Sequence, residues 1–172
     1  RRKGFMELKL FEKIIDESKW FLERITLWNL GESFLHKDVF NMIIYAKKYD
    51  IEVMASTNGY ALDSKAMVGK LIDSGIDRLI VSVDGLDEES YSKYRKGLDF
   101  KKLMSGLKIL RDEKFKRRSE FPKVEFQMIL MKQNSHQVDD AKKMAEKLGT
   151  EFRLKYVSLE MVSDSNKKDF LP

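Results

Sequence analysis

The chain has 172 residues, 42% of them hydrophobic and 35% charged, and a formal net charge of +5. That length suits one domain burying roughly two-thirds of its unfolded surface, and no apolar run approaches the ~20 residues that span a bilayer. No cysteine is present, which excludes disulfides, thiolate-held metals and thiol nucleophiles from this sequence; the start, Arg1-Arg2-Lys3-Gly4, is not that of a secretory signal, and a cytoplasmic location is expected.

Leu10, Phe11, Ile14 and Ile15 recur at helical spacing and predict a helix over residues 8–21. The run Ile25-Thr26-Leu27-Trp28-Asn29-Leu30 has the length and β-branched content of a buried strand, and Gly31-Glu32 follows it. Val39, Phe40, Ile43, Ile44 and Tyr45 predict a second helix behind Asp38. A second strand, from Ile51 to Ser56, leads into Thr57-Asn58-Gly59. A third helix through Met67, Val68, Leu71 and Ile72 is capped by Asp63 or Ser64 and stops at Gly75. The third strand, residues 78–83, ends in Asp84-Gly85. The spacing then widens to admit a short helical stretch over 88–95 and a full helix from 100 to about 114. Alternation of Val124, Phe126, Met128 and Leu130 marks a strand over 123–131. A helix over 137–148 and a strand over 151–157 complete the series.

Strand, helix, strand in repetition implies right-handed crossovers and a parallel sheet. Ligands bind such sheets beyond the carboxyl ends of the strands, where the short polar motifs fall. The chain opens on a helix where a β/α unit would open on a strand. One strand and its loop are therefore expected to precede Arg1. Residues 1–157 form the domain, and the polar stretch 158–172 is expected to be a linker.

Glycine at 31 lets backbone pass close to a ligand. Ser82 and Asp84, two apart on extended chain, point to the same side, where a hydroxyl and a carboxylate suit a polar ligand. Taken singly, Gly31-Glu32, Thr57-Asn58-Gly59 and Asp84-Gly85 are also ordinary turns after strands. Arg95, after Tyr91 and Tyr94, has a guanidinium able to clamp a carboxylate; a lone helical arginine is more often solvated. Gln127 sits mid-strand and faces either the barrel or the surface. Tyr156 faces the same choice between ligand contact and packing. Lys114, Lys116, Arg117 and Arg118 are expected in a loop before Pro122, and nucleic-acid binding there is a weak reading. The two histidines, His36 and His136, lie near helix starts as surface or capping residues and have no metal-site spacing.

In this order the motifs resemble the core of a radical S-adenosylmethionine (SAM) enzyme. The residues that carry the resemblance are Gly4-Phe5-Met6, Leu30-Gly31-Glu32-Ser33, Ser56-Thr57-Asn58-Gly59, Val81-Ser82-Val83-Asp84-Gly85, Tyr94-Arg95-Lys96-Gly97 and the run from Gln127 to Asn134. The form is similar to the SPASM branch, which carries auxiliary iron–sulfur clusters in a C-terminal extension, and residues 168–172 look like the linker into it.

The resemblance implies an α/β fold: a partial (β/α)6 TIM-like barrel with a parallel sheet, here with its first strand and cluster loop missing. That loop carries three cysteines for a [4Fe–4S] cluster. The cluster chelates SAM, an electron cleaves it, and a 5′-deoxyadenosyl radical takes a substrate hydrogen. The cluster ligands would lie upstream of this chain, and the fragment alone would be inactive. The remaining SAM cradle would comprise Gly31, Glu32, Thr57, Asn58, Ser82, Asp84, Arg95, Gln127 and Tyr156, with the Gly31-Glu32 backbone at the methionine amino group and Arg95 near its carboxylate. The family pattern is Gly-Gly-Glu-Pro, from which Leu30 and Ser33 depart. Implied partners are a peptide or small-molecule substrate and an electron donor such as flavodoxin or ferredoxin. Two rivals stay open: a cluster-free β/α-barrel lyase using Glu32 and Asp84 as acid and base, and a non-catalytic binding module.

Overall fold

A computed structural model describes residues 4–28 and 31–156. Leu30, of the first turn motif, and the expected linker at 158–172 lie outside the described residues. The order of elements is α1 (Leu8–Ser18), β1 (Arg24–Thr26), α2 (Val39–Lys47), β2 (Glu52–Thr57), α3 (Lys65–Asp73), β3 (Arg78–Ser82), α4 (Glu88–Tyr94), α5 (Phe100–Arg117), β4 (Lys123–Ile129), α6 (Val138–Leu148) and β5 (Glu151–Lys155). The five strands form one sheet in sequence order, with every pair parallel. This is the α/β architecture that the strand–helix alternation predicts.

Side-chain caps start several helices. Ser64 accepts the Met67 N–H, Asp87 that of Ser90 and Asp99 that of Lys102. Each satisfies a donor that the first turn leaves without a helical partner. Asp38 makes no such bond at the start of α2; instead the Asp38 N–H donates to Nδ1 of His36.

One face of the sheet packs under the helices. Val53, Ala55, Leu79, Val81, Val124, Phe126 and Met128 join Ile15, Ile43, Leu71, Leu107 and Ala145 in a single core. Burying that apolar area, at about 25 cal/mol per Å2, is the main force holding the layers together. The registers Met54–Arg78, Ser56–Ile80–Glu125 and Ser82–Gln127–Arg153 place these residues on the opposite, open face.

Two expectations are corrected. The first strand is three residues long, with only Ile25 half-buried between exposed neighbours, because it lies at the sheet edge with a partner on one side. The basic cluster is not in a loop. α5 continues through Arg117, so Lys114, Lys116 and Arg117 form its last turn, where cations complement the helix dipole. Lys114 also donates to the Pro122 carbonyl, and Arg117 pairs with Asp73 at 2.7 Å.

Candidate functional site

The polar motifs converge at the carboxyl ends of β1 to β4. Glu32 reaches across from the loop after β1. Its Oε2 accepts the Asn58 N–H at 2.7 Å and its Oε1 accepts the Phe34 N–H at 3.2 Å. Burial pushes the Glu32 carboxyl above its ordinary 4.5, and those two N–H groups oppose the shift, as do the Thr57 hydroxyl and the Arg95 charge. Glu32 therefore staples the first turn motif to the second.

Thr57 belongs to the core face of β2. Its hydroxyl accepts the N–H groups of Gly59 and Ala61, which fixes the turn. Asn58 also accepts the Tyr60 N–H on Oδ1. Its carbonyl accepts the Tyr91 hydroxyl at 3.4 Å, tying α4 to the β2 turn.

Asp84 is the hub of the site. It is fully buried. Oδ1 accepts the Ile129 N–H at 2.7 Å, and Oδ2 accepts Arg95 Nε at 2.6 Å. The Asp84 carbonyl accepts from Nδ2 of Asn134, itself buried. Burial drives the Asp84 carboxyl upward from 3.8, against the pull of Arg95, the Ile129 N–H and the charge of Lys155. Among the described residues, the hydrogen bond of Arg95 to Asp84 runs through Nε, the inner guanidinium nitrogen.

Ser82 and Gln127 are register neighbours on the open face. Gln127 thus stands on the open face of the sheet, opposite the helix-covered core. Its Nε2 donates to Glu125 at 3.0 Å, leaving Oε1 as an acceptor. Gly31 adopts φ +88, and a side chain there would meet no neighbouring atom within 4 Å, so close approach by a ligand is sterically open. Tyr156 lies beyond β5, 71% exposed, and makes no hydrogen bond to the cluster among the described residues. Glu125 and Arg153 were not singled out in the sequence, and Asn134 was named only as the end of the run from Gln127. Arg153 meets Glu125 across the β4–β5 pair and Asn134 reaches the Asp84 carbonyl 50 positions back, pairings that no local pattern marks.

A profile of the Radical SAM superfamily matches residues 1–162. The chain belongs to the radical SAM superfamily. Its members are enzymes that use SAM and a [4Fe–4S] cluster. An AdoMet-dependent heme synthase of Methanosarcina barkeri is 27% identical over 147 residues, covering 80% of this chain and 40% of that protein. A probable GTP 3′,8-cyclase of Methanococcus maripaludis is 34% identical over 96 residues, covering 55% of this chain and 32% of that one. The chain thus spans less than half the length of these relatives. Streptococcus suis SuiB bound to S-adenosylmethionine shares the fold with TM-score 0.71 at 17% identity, over 97% of this chain and 38% of SuiB.

The two cofactors fit this chain differently. Arg95, Ser82 and Gln127 offer the donors and acceptors that an amino acid and a ribose require. The cluster finds no ligands here: the sequence has no cysteine, and no group of His, Cys, Asp or Glu that could hold a metal ion occurs among the described residues.

Proposed function

We propose that this chain is the SAM-binding part of a longer radical SAM enzyme of the SPASM branch, acting on a peptide or a small metabolite in the cytoplasm. The observation that carries the reading is the Asp84–Arg95 pair. A buried carboxylate holds the inner guanidinium nitrogen, so the outer two are aimed, without further ordering, at the carboxylate of SAM. Ser82 donates to the ligand, and Gln127 Oε1 accepts from a ribose hydroxyl or the adenine amino group. The backbone at Gly31-Glu32 meets the methionine amino group. Thr57, Glu32 and Asp84 hold these groups in place through the bonds described above. When bound, SAM supplies the substrate-activating chemistry.

A cavity of about 530 Å3 beside β1, lined by Phe5, Phe11, Ile14, Ile25 and Trp28, supports a preceding strand that carries the cluster loop. Such a strand would complete the partial barrel and cover the exposed side chains of Leu10 and Ile14 on α1. The acid–base lyase reading loses support, because both oxygens of Glu32 and of Asp84 already accept hydrogen bonds within the fold.

The test is anaerobic reconstitution of the full-length enzyme with iron, sulfide and a reductant, followed by quantification of 5′-deoxyadenosine. The enzyme should form it, and Arg95→Ala should reduce its formation at least about tenfold while the cluster absorbance stays. A fully assembled cluster that never cleaves SAM would contradict the proposal.

A further inference from the structure

Glu125 is a carboxylate at the middle of β4 on the open face, only 2% exposed. Its register neighbours are Ile80 on β3 and Glu151 on β5. Oε1 accepts from Gln127 Nε2 at 3.0 Å, and Oε2 lies 3.0 Å from Arg153 Nε. Burying a charge in this way is unfavourable, and an apolar side chain would stabilise such a position at least as well. Ile80, buried beside it on the same face, shows that the layer admits one.

The engaged atom of Arg153 is again the inner nitrogen, while 63% of its side chain is exposed. Among the described residues nothing else pairs with its terminal nitrogens. Arg153 lies in one register row with Gln127 and Ser82, an adjacent strand away from the SAM site. Lys155, one inward position further along β5, contributes positive potential that reaches Asp84. The open face at β5 thus carries Arg153 and Lys155, with Glu151 of the same face paired to Arg78, and Arg153 is held by a buried acid through its inner nitrogen while most of its side chain is exposed.

We infer that Arg153, oriented by Glu125, binds a carboxylate or phosphate group of the substrate next to the SAM site. The inference rests on the radical SAM reading for its placement and deepens it by giving the substrate an anionic group. Arg153 makes the contact, and Glu125 is a positioning residue. A lysine at 153 would keep the charge and lose the two parallel bonds.

The test uses the full chain with 15N-labelled arginine and glutamine side chains. Inorganic phosphate in one arm and propionate in the other are titrated at constant ionic strength and followed by NMR. At least one anion should give a saturating shift of Arg153 and of the Gln127 side-chain amide, with half-saturation on the order of 10 mM. The arm that saturates first identifies the group. Arg153→Lys should weaken the Gln127 response at least tenfold, whereas Arg111→Lys, on α5, should leave it intact. An Arg153 shift no larger than that of Arg111, or an unchanged Gln127 response in Arg153→Lys, overturns the inference. SAM titrated into Arg153→Lys reports separately on the SAM site, since the shift at Arg95 depends on that reading alone.

Discussion

Asp84, itself fully buried, takes two charge-assisted hydrogen bonds, so its removal strands Arg95 and the Ile129 N–H together. Asp84→Ala should lower stability by about 3–5 kcal/mol, the range for breaking a buried pair, in urea unfolding. A loss under about 1 kcal/mol would mean that the pair is solvated. Glu32 makes a different prediction. Its folded carboxyl sits above 4.5 because of burial, so the folded state holds more protons than the unfolded one in the window above that value. Its stabilising share is complete below 4.5 and is lost as pH rises through the raised value. The melting temperature of wild type minus that of Glu32→Gln should therefore fall from acid toward neutral pH; a difference that rises would contradict the shift. That Asp84 follows the end of β3 was legible in the sequence. Its partners were not, since Ile129 lies 45 positions away and only the β3–β4 register brings it close.

Helix α4 depends on one close approach. A Cβ on Gly85 would lie 2.4 Å from the Tyr91 nitrogen and 2.6 Å from the Ser90 hydroxyl oxygen. Gly85→Ala must therefore push α4 outward, and Arg95 at its end moves with it. The expected result is a loss of about 1–3 kcal/mol in stability together with weaker SAM binding, although residue 85 is not among the groups proposed to meet SAM. Unchanged calorimetric SAM affinity in Gly85→Ala would sever that link. Gly59 has a similar constraint, at φ +109 with a Cβ only 2.8 Å from Leu103 Cδ1 on α5. Several element boundaries were readable, because the Ser64 cap and the alternation in 123–131 are local signals; the Asp87 and Asp99 caps were not picked out. The end of α5 was not. A run of lysines and arginines reads as a loop by charge, yet it is favourable at a helix carboxyl end. The first strand was overestimated because its regular pairing ends at Thr26: Leu27 donates one last bond to the Met54 carbonyl, and the side chains of Leu27 and Trp28 line the cavity beside β1.

At the scale of the molecule, one parallel sheet separates two environments. The helix-covered face is apolar and carries the stability. The open face carries Ser82, Glu125, Gln127 and Arg153, and the strand ends above it gather Glu32, Asn58, Asp84 and Arg95. That division follows from period-two alternation in each strand, and so the split of the sheet into an apolar and an open face was legible from sequence. Which polar groups remain available to a ligand was not, because it depends on bonds between distant strands. The central claim is that this end binds SAM through groups of this chain. It is tested most directly by titrating SAM into the full chain under amide and side-chain NMR. Without the metal contacts, the remaining hydrogen bonds, each worth about 0.5–3 kcal/mol, oppose an association cost of several kcal/mol. Saturation is therefore expected near about 1 mM or above. Shifts should concentrate at Ser82, Arg95, Gln127 and Gly31, and should vanish in Arg95→Ala. Micromolar binding that Arg95→Ala leaves untouched, or shifts centred on the helix-covered side, would contradict the account.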